Sequence, residues 1–108
     1  MVNACVLIGR LSAQPELRKT NSGKSVCSFT IAVERNYRDE GGKSIVDWID
    51  CVAWERNAEF VVRNFGKGSM IAVEGSIQTR MKEEKNGKKT KVTELNADNV
   101  SFCGGLCR

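Results

Sequence analysis

The segment Trp48-Ile-Asp-Cys-Val-Ala-Trp54 carries two large aromatic side chains in an alternating context. On a strand, a period of two puts Trp48, Asp50, Val52 and Trp54 on one face, with Ile49, Cys51 and Ala53 on the other. The second set is small and apolar and is expected to face the core. Both indole rings then lie on the face that meets solvent, where a flat apolar ligand would cover them. In a chain with a net charge of +4, a nucleobase is the flat ligand whose chemistry fits.

Every base has a π-face, so stacking on exposed aromatics tolerates any sequence and contributes about 1–3 kcal/mol per base. The competing reading is that one Trp packs against a neighbouring subunit or under a loop. Phosphates need cations close to the rings. Arg56, two residues past Trp54, is within reach of a phosphate beside a stacked base. Arg80 belongs to the outer alternation Ser76, Gln78, Arg80 and Lys82, opposite Ile77, a polar and basic row suited to tracking a backbone.

Between Arg80 and Lys91 the positive residues are Arg80, Lys82, Lys85, Lys88, Lys89 and Lys91, against Glu83 and Glu84, so this segment alone carries +4. Concentrated charge steers a polyanion. A solvated Lys-rich hairpin tip, with Glu83 and Glu84 countering the lysines, is the alternative and the default for Lys85, Lys88 and Lys89. Tyr37, ahead of Gly41-Gly42, reads equally as a stacking residue and as a loop anchor, and Lys43 and Lys67 are similarly ambiguous.

Catalytic chemistry finds no support. There is no His, no nucleophile elbow and no phosphate-cradling glycine loop, and Asp47 and Asp50 point to opposite faces of a strand. Five Cys are an odd count for a closed disulfide framework, and Cys5, Cys27 and Cys51 read as small core residues. Cys103 and Cys107 lack a second ligand pair, so no metal or other cofactor is expected. The first ten residues lack the basic start of a signal peptide and no window is long enough to cross a membrane, so a cytoplasmic protein is expected.

The elements that must position these groups are mostly strands. Val2–Leu11 reads as the first, with Gly9 marking a bulge or bend. Ser25–Glu34 is the second, with Cys27, Phe29, Ile31 and Val33 on one face, and Ser44–Trp54 is the third. Ala58, Val61, Val62 and Phe65 form the stripe of a short helix, with Asn57 as its N-cap and Gly66 closing it in the left-handed region. Met70–Lys82 follows, with Ile71, Val73, Gly75 and Ile77 inward. Asn86-Gly87 signals a two-residue hairpin, and the chain returns from Thr90 to Phe102. Five strands with one short helix between the third and fourth predict an all-β, Greek-key OB-fold barrel. Val2, Ala4, Val6 and Ile8 alternate with Asn3, Cys5 and Leu7, which makes the first strand apolar on both faces, so the outer one needs a cover.

These residues resemble the bacterial-type single-stranded DNA-binding protein family. The matching pieces are Asn3–Leu11 with its Leu-Ile-Gly-Arg-Leu, Pro15-Glu-Leu-Arg18 and Phe29-Thr-Ile-Ala-Val33. They continue with Asp47-Trp-Ile, Val52-Ala-Trp54, Phe65-Gly-Lys-Gly-Ser69, Val73-Glu-Gly-Ser-Ile-Gln-Thr-Arg80 and Val92-Thr-Glu94. The resemblance covers residues 1 to about 102, the expected binding domain, and leaves 103–108 as a short tail.

The resemblance implies a homotetramer that wraps single-stranded DNA without strong sequence preference, in replication, repair and recombination. By matching position, Tyr37, Trp48 and Trp54 would stack bases, and Arg18, Arg38, Lys43, Arg56, Lys67 and Arg80 would face phosphates. A partner subunit would cover the first strand. Where the family commonly has a further stacking aromatic, this chain has Lys82, which shifts weight from stacking towards phosphate contacts and steeper salt dependence. Cellular members usually continue into a disordered tail with an acidic, hydrophobic tip. This chain reads Cys103-Gly-Gly-Leu-Cys-Arg108, so recruitment of replication proteins through such a tip is not expected. Two rival readings are an accessory OB protein that prefers RNA, and an assembly module whose aromatic face meets protein.

Overall fold

Three turns of one design fold the chain into antiparallel ribbons. At 20–24, 39–43 and 84–88, the first residue donates its N–H to the last residue's carbonyl and accepts from Gly23, Gly42 and Gly87 respectively. Those glycines have φ of 85°, 81° and 82°, a region that a side chain disfavours. Each is a type I turn followed by a left-handed residue, the usual three-residue hairpin loop. Asn86-Gly87 is therefore not a two-residue turn. Asn86 sits inside the loop, its side-chain oxygen accepting the Lys88 N–H at 2.9 Å, and Gly87 forms the left-handed exit.

The computed structural model describes residues 1–103. Its elements are β1 (Cys5–Leu11), β2 (Arg18–Lys19), β3 (Ser25–Arg38), β4 (Ser44–Trp54), α1 (Arg56–Asn64), β5 (Met70–Glu83) and β6 (Lys89–Phe102). Of the expected tail only Cys103 falls among these residues, so the Cys103–Cys107 pair lies partly outside them. No described helix is long and apolar enough to cross a membrane.

Five strands close a barrel. The sheet order is β1-β5-β6-β4-β3-β2, and an additional β1–β3 pairing closes β1, β5, β6, β4 and β3 into a ring. All the pairings are antiparallel except β4 with β6, where Cys51 meets Leu95 and Val52 meets Asn96. This is an OB-fold, with α1 between β4 and β5 and the two-residue β2 added at one edge. Closure depends on Gly9. A Cβ there would lie 2.5 Å from the Ala32 carbonyl oxygen, so only glycine lets β1 cross β3.

Alternation fills the interior. Cys27, Phe29 and Ile31 of β3 meet Cys51 and Ala53 of β4, Ile71 and Val73 of β5, and Leu95 of β6. Ile31, Ile71 and Leu95 are fully buried, each stabilising the fold by about 1.5–3 kcal/mol. Helix α1 packs on β3, β4 and β6, inserting Ala58 and Val61, with Phe65 buried just beyond its end.

Four local expectations differ from the structure. The first strand begins at Cys5, and Asn3 instead bonds by its side chain to both the N–H and the carbonyl of Ile77, at 2.9 and 2.8 Å. Ile77 is 39% exposed although its partner Leu95 on β6 is fully buried, because β1 covers β5 only as far as the Cys5–Gly75 pair. Asn57 does not cap α1. Glu55 is the N-cap residue, and the Asn57 amide donates to the carbonyl of Asp98 at 3.1 Å, tying the helix to β6. Nor does Gly66 end the helix in the left-handed region: Phe65 leaves it extended, and Gly68 takes the positive φ of 86°.

Candidate nucleic-acid interface

The outer faces of β2, β3 and β4 line up in rows set by their register. Arg18 pairs with Val26, which pairs with Trp54, so cation, aliphatic residue and indole form one row across three strands. The next row pairs Ser28 with Val52, and then Val52 with Asn96 of β6. Together these rows and β5 bound a groove of about 370 Å³. Its lining includes Arg18, Thr20, Val26, Val52, Trp54, Gln78, Arg80, Glu94 and Asn96. The apolar floor is Val26 and Val52, both buried although they sit on the outer face.

The cations of this groove are positioned, not loose. Arg18 donates to the Ser28 hydroxyl at 3.1 Å. Arg80 Nε donates to Glu94 Oε1 at 2.9 Å, with 54% of the arginine side chain exposed and 12% of the glutamate. Asn96 donates to the Gln78 amide oxygen at 3.2 Å, and Gln78 in turn to Ser76 at 3.1 Å. The groove thus combines an indole wall, an aliphatic floor and two guanidinium groups. It can hold a base against Trp54 with phosphates on either side.

Trp54 is fixed by the turn that follows it. Glu55 has φ 53° and ψ −121°, a region costly for a residue with a side chain. Two bonds of 2.8 Å hold it there: its N–H donates to the Ser25 carbonyl, and its carboxylate accepts the Ser25 N–H. Beyond this turn a second hollow, of about 560 Å³, opens between Trp54 and the start of α1. Arg56 and Phe60 border it, together with Asp98 and Asn99 of β6.

Trp48 stands apart from this groove. Its cross-strand partner is Ala32, which offers the ring little to lie on, and the side chain is 63% exposed. Between the two indoles, Asp50 accepts from the Thr30 hydroxyl at 2.9 Å. Tyr37 joins neither group. Its hydroxyl accepts from Arg35 at 2.9 Å, and Arg35 makes a bidentate pair with Asp47 at 2.9 and 3.0 Å. Asp47 alternates with Trp48, so this cluster belongs to the opposite side of β4. The hydrogen bond from Arg35 holds the Asp47 carboxyl below its ordinary range.

The remaining candidates are spread out. Arg38 folds back on its own hairpin, donating to the Gly42 carbonyl and the Ser44 hydroxyl at 3.1 and 3.2 Å. Lys43 is exposed in the turn of the same hairpin. Lys67 lies on the loop between α1 and β5, beside Gly68, whose N–H donates to Leu11 at 2.8 Å, and it lines neither hollow. Lys82 pairs with Thr90 on the projecting hairpin, on the same face as Arg80. Glu83 and Glu84 form no ion pair with the nearby lysines among the described residues; Glu84 instead accepts from Thr90 at 3.3 Å.

Gln78 was legible in the outer row it shares with Arg80, whereas other groove residues escaped sequence reasoning. Glu94 and Asn96 come from β6 and meet β5 only through register, for which no local signal exists. Among the described residues, no group of three or more His, Cys, Asp or Glu side chains is gathered for a metal ion. Burial pushes the Cys51 thiol up to about 12 and raises Cys27 as well, so neither supplies a thiolate near neutral pH.

Comparison with known proteins agrees with this geometry. The model of the single-strand binding protein family matches residues 2–103. Single-stranded DNA-binding protein A of Bacillus subtilis is 44% identical over 102 residues, covering 94% of this chain and 59% of that protein. Single-stranded DNA-binding protein 2 of Listeria monocytogenes is 44% identical, with 94% and 64% covered. A single-stranded DNA-binding protein of Oceanobacillus iheyensis is 46% identical, with 94% and 63% covered. The chain therefore spans roughly three-fifths of the length of these relatives. With an OB-fold, an indole-walled groove and a family match that runs from residue 2 to residue 103, the chain belongs to the single-strand binding protein family.

Proposed function

We propose that this protein binds and protects single-stranded DNA with little sequence preference, in replication, repair and recombination, as a cytoplasmic protein without catalytic activity. The observation that carries the reading is the one groove that Trp54, Arg18 and Arg80 line together. Trp54 and Trp48 stack bases, with Tyr37 a third platform at the hairpin. Arg18, Arg56 and Arg80 neutralise phosphates close to Trp54, while Arg38, Lys43, Lys67 and Lys82 extend the track. Residues 1–102 are the binding domain, followed by the tail at 103–108.

Self-association belongs to the same proposal. Val6 and Ile8 on the outer face of β1 are 64% and 48% exposed, and Ile8 borders a hollow with Ala32, Val46 and Met70, edged by Arg10 and Glu34. Exposed apolar side chains of this kind favour a symmetric contact with a second copy, and the proposed assembly is a homotetramer, which requires a second contact besides this one.

Intrinsic Trp fluorescence, titrated with a dT oligomer across a salt series, tests the proposal. Strong quenching is expected, with log affinity falling by about 0.7 per phosphate contact as log salt rises. Unchanged fluorescence and no binding at low salt would refute it.

A further inference from the structure

The hollow behind Trp54 contributes only Trp54 itself and Arg56 to the reading above. Its other polar residues are unassigned. Asp98 is placed there by an irregularity: pairing steps from Glu74 with Asn99 to Gly75 with Ala97, which leaves Asp98 outside the ladder. Such a bulge re-aims a side chain. The close backbone approach beside it admits only glycine, because a Cβ on Gly75 would lie 1.9 Å from the Asn96 carbonyl oxygen. Asp98 is exposed, and its carboxylate enters neither ion pair among the described residues; only its backbone carbonyl is engaged, by Asn57.

We infer that this hollow is a second base subsite, and that Asp98 makes it select guanine. The inference rests on the proposed single-stranded DNA reading and adds a base preference at one position. The volume of about 560 Å³ admits a nucleotide, and Trp54 and Phe60 give it aromatic borders. A carboxylate is purely an acceptor, with two oxygens side by side. Guanine is the base whose Watson–Crick edge offers two adjacent donors, N1–H and the N2 amine. Thymine offers one N–H flanked by two carbonyls that repel a carboxylate, and adenine and cytosine each set a single amine beside an acceptor. Glu55 also borders the hollow, but its carboxylate is engaged by the Ser25 N–H at 2.8 Å, and Arg56 offsets part of the negative charge that would otherwise repel the phosphate of that nucleotide. Trp54 borders both hollows, so a strand lying in the barrel groove reaches this one by passing a single residue.

Three end-labelled oligomers of equal length test this by fluorescence anisotropy: all-dT, a repeat of two dT and one dG, and the same repeat with deoxyinosine, which lacks the N2 amine. They are titrated against the parent and Asp98→Asn proteins. The parent is expected to bind the guanine repeat about fivefold more tightly than the inosine repeat. In Asp98→Asn that ratio falls to one while all-dT binding persists. An equal affinity of the parent for both repeats overturns the inference, as does an undiminished ratio in the variant, and both outcomes leave the single-strand reading standing. Failure of all three oligomers to bind the parent overturns that reading itself. A melting curve matching the parent's confirms that the variant is folded.

Discussion

Arg80 and Glu94 form a diagonal ion pair across β5 and β6, 2.9 Å apart, within the groove that Trp54 borders. The carboxylate is the more sheltered partner, so it is the arginine that remains open to an incoming phosphate. Glu94 thus orders the guanidinium in the free protein and competes with DNA for it. Glu94→Gln removes the competitor. The expected result is tighter binding of oligo-dT at low salt, with the salt slope steeper by about 0.7, the value of one further phosphate contact. Titrations at several salt concentrations measure both.

Trp48→Ala and Trp54→Ala are each expected to weaken oligo-dT binding by about 1–3 kcal/mol, the range found for stacking aromatics in single-strand-binding OB-folds generally. Six strand residues separate the rings by about 20 Å, so the double variant should lose the sum of the two. Loss in Trp54→Ala alone would confine binding to the groove.

Val6→Asp puts a charge on the outer face of β1, where the residue is 64% exposed and touches no part of the core cluster. Thermal stability of the monomer should change little. Light scattering after gel filtration should report a smaller assembly than the parent's, and an unchanged mass would place the subunit contact elsewhere.

Gly75→Ala forces a methyl group into the backbone of β6, 1.9 Å from the Asn96 carbonyl oxygen. Backbone yields less readily than side chains, so a loss of about 3 kcal/mol is expected in urea unfolding. Gly41→Ala serves as the control, since its nearest neighbour is the Asp39 side chain at 3.5 Å and its φ is not positive.

Burial, aided by the charges of Asp50 and Glu94 and by Cys5, holds the Cys51 proton to about pH 12 in the folded state. The unfolded chain releases it near the ordinary thiol value of about 8.5. Between these values the folded state binds more protons, so this contribution to stability is complete below the lower value and is lost as pH rises through the window. Relative to Cys51→Ala, the parent should lose about 1 kcal/mol for each pH unit inside the window. Urea midpoints measured at pH 8, 9 and 10 check the sign.

The strands that carry the site were readable because alternation is a local property. Cys27, Phe29 and Ile31 against Ser28, and Ile49, Cys51 and Ala53 against Trp48 and Trp54, assign faces without any knowledge of the fold. Three local errors share a cause. Asn57 and Gly66 have the right chemistry for helix ends, but contacts with Asp98 and the turn at Gly68 decided where α1 begins and how it stops. Ile77 kept its parity and lost its burial because β1 stops pairing with β5 at Gly75, before reaching it.

Alone, then, the amino-acid sequence determined an all-β barrel with one helix, two indoles on its outer face, and positive charge crowded near one hairpin. Those features depend on residue type and on spacing within a strand. Tertiary structure decided which cations stand near which ring. Arg18 reaches Trp54 through Val26, and Arg80 reaches the same groove by way of β6, whereas Tyr37 is drawn to Arg35 and Asp47. The physical reason is that a site shared by several strands is set by their register and by barrel closure. Both arise from contacts between residues far apart in the chain, and no short stretch of sequence encodes them.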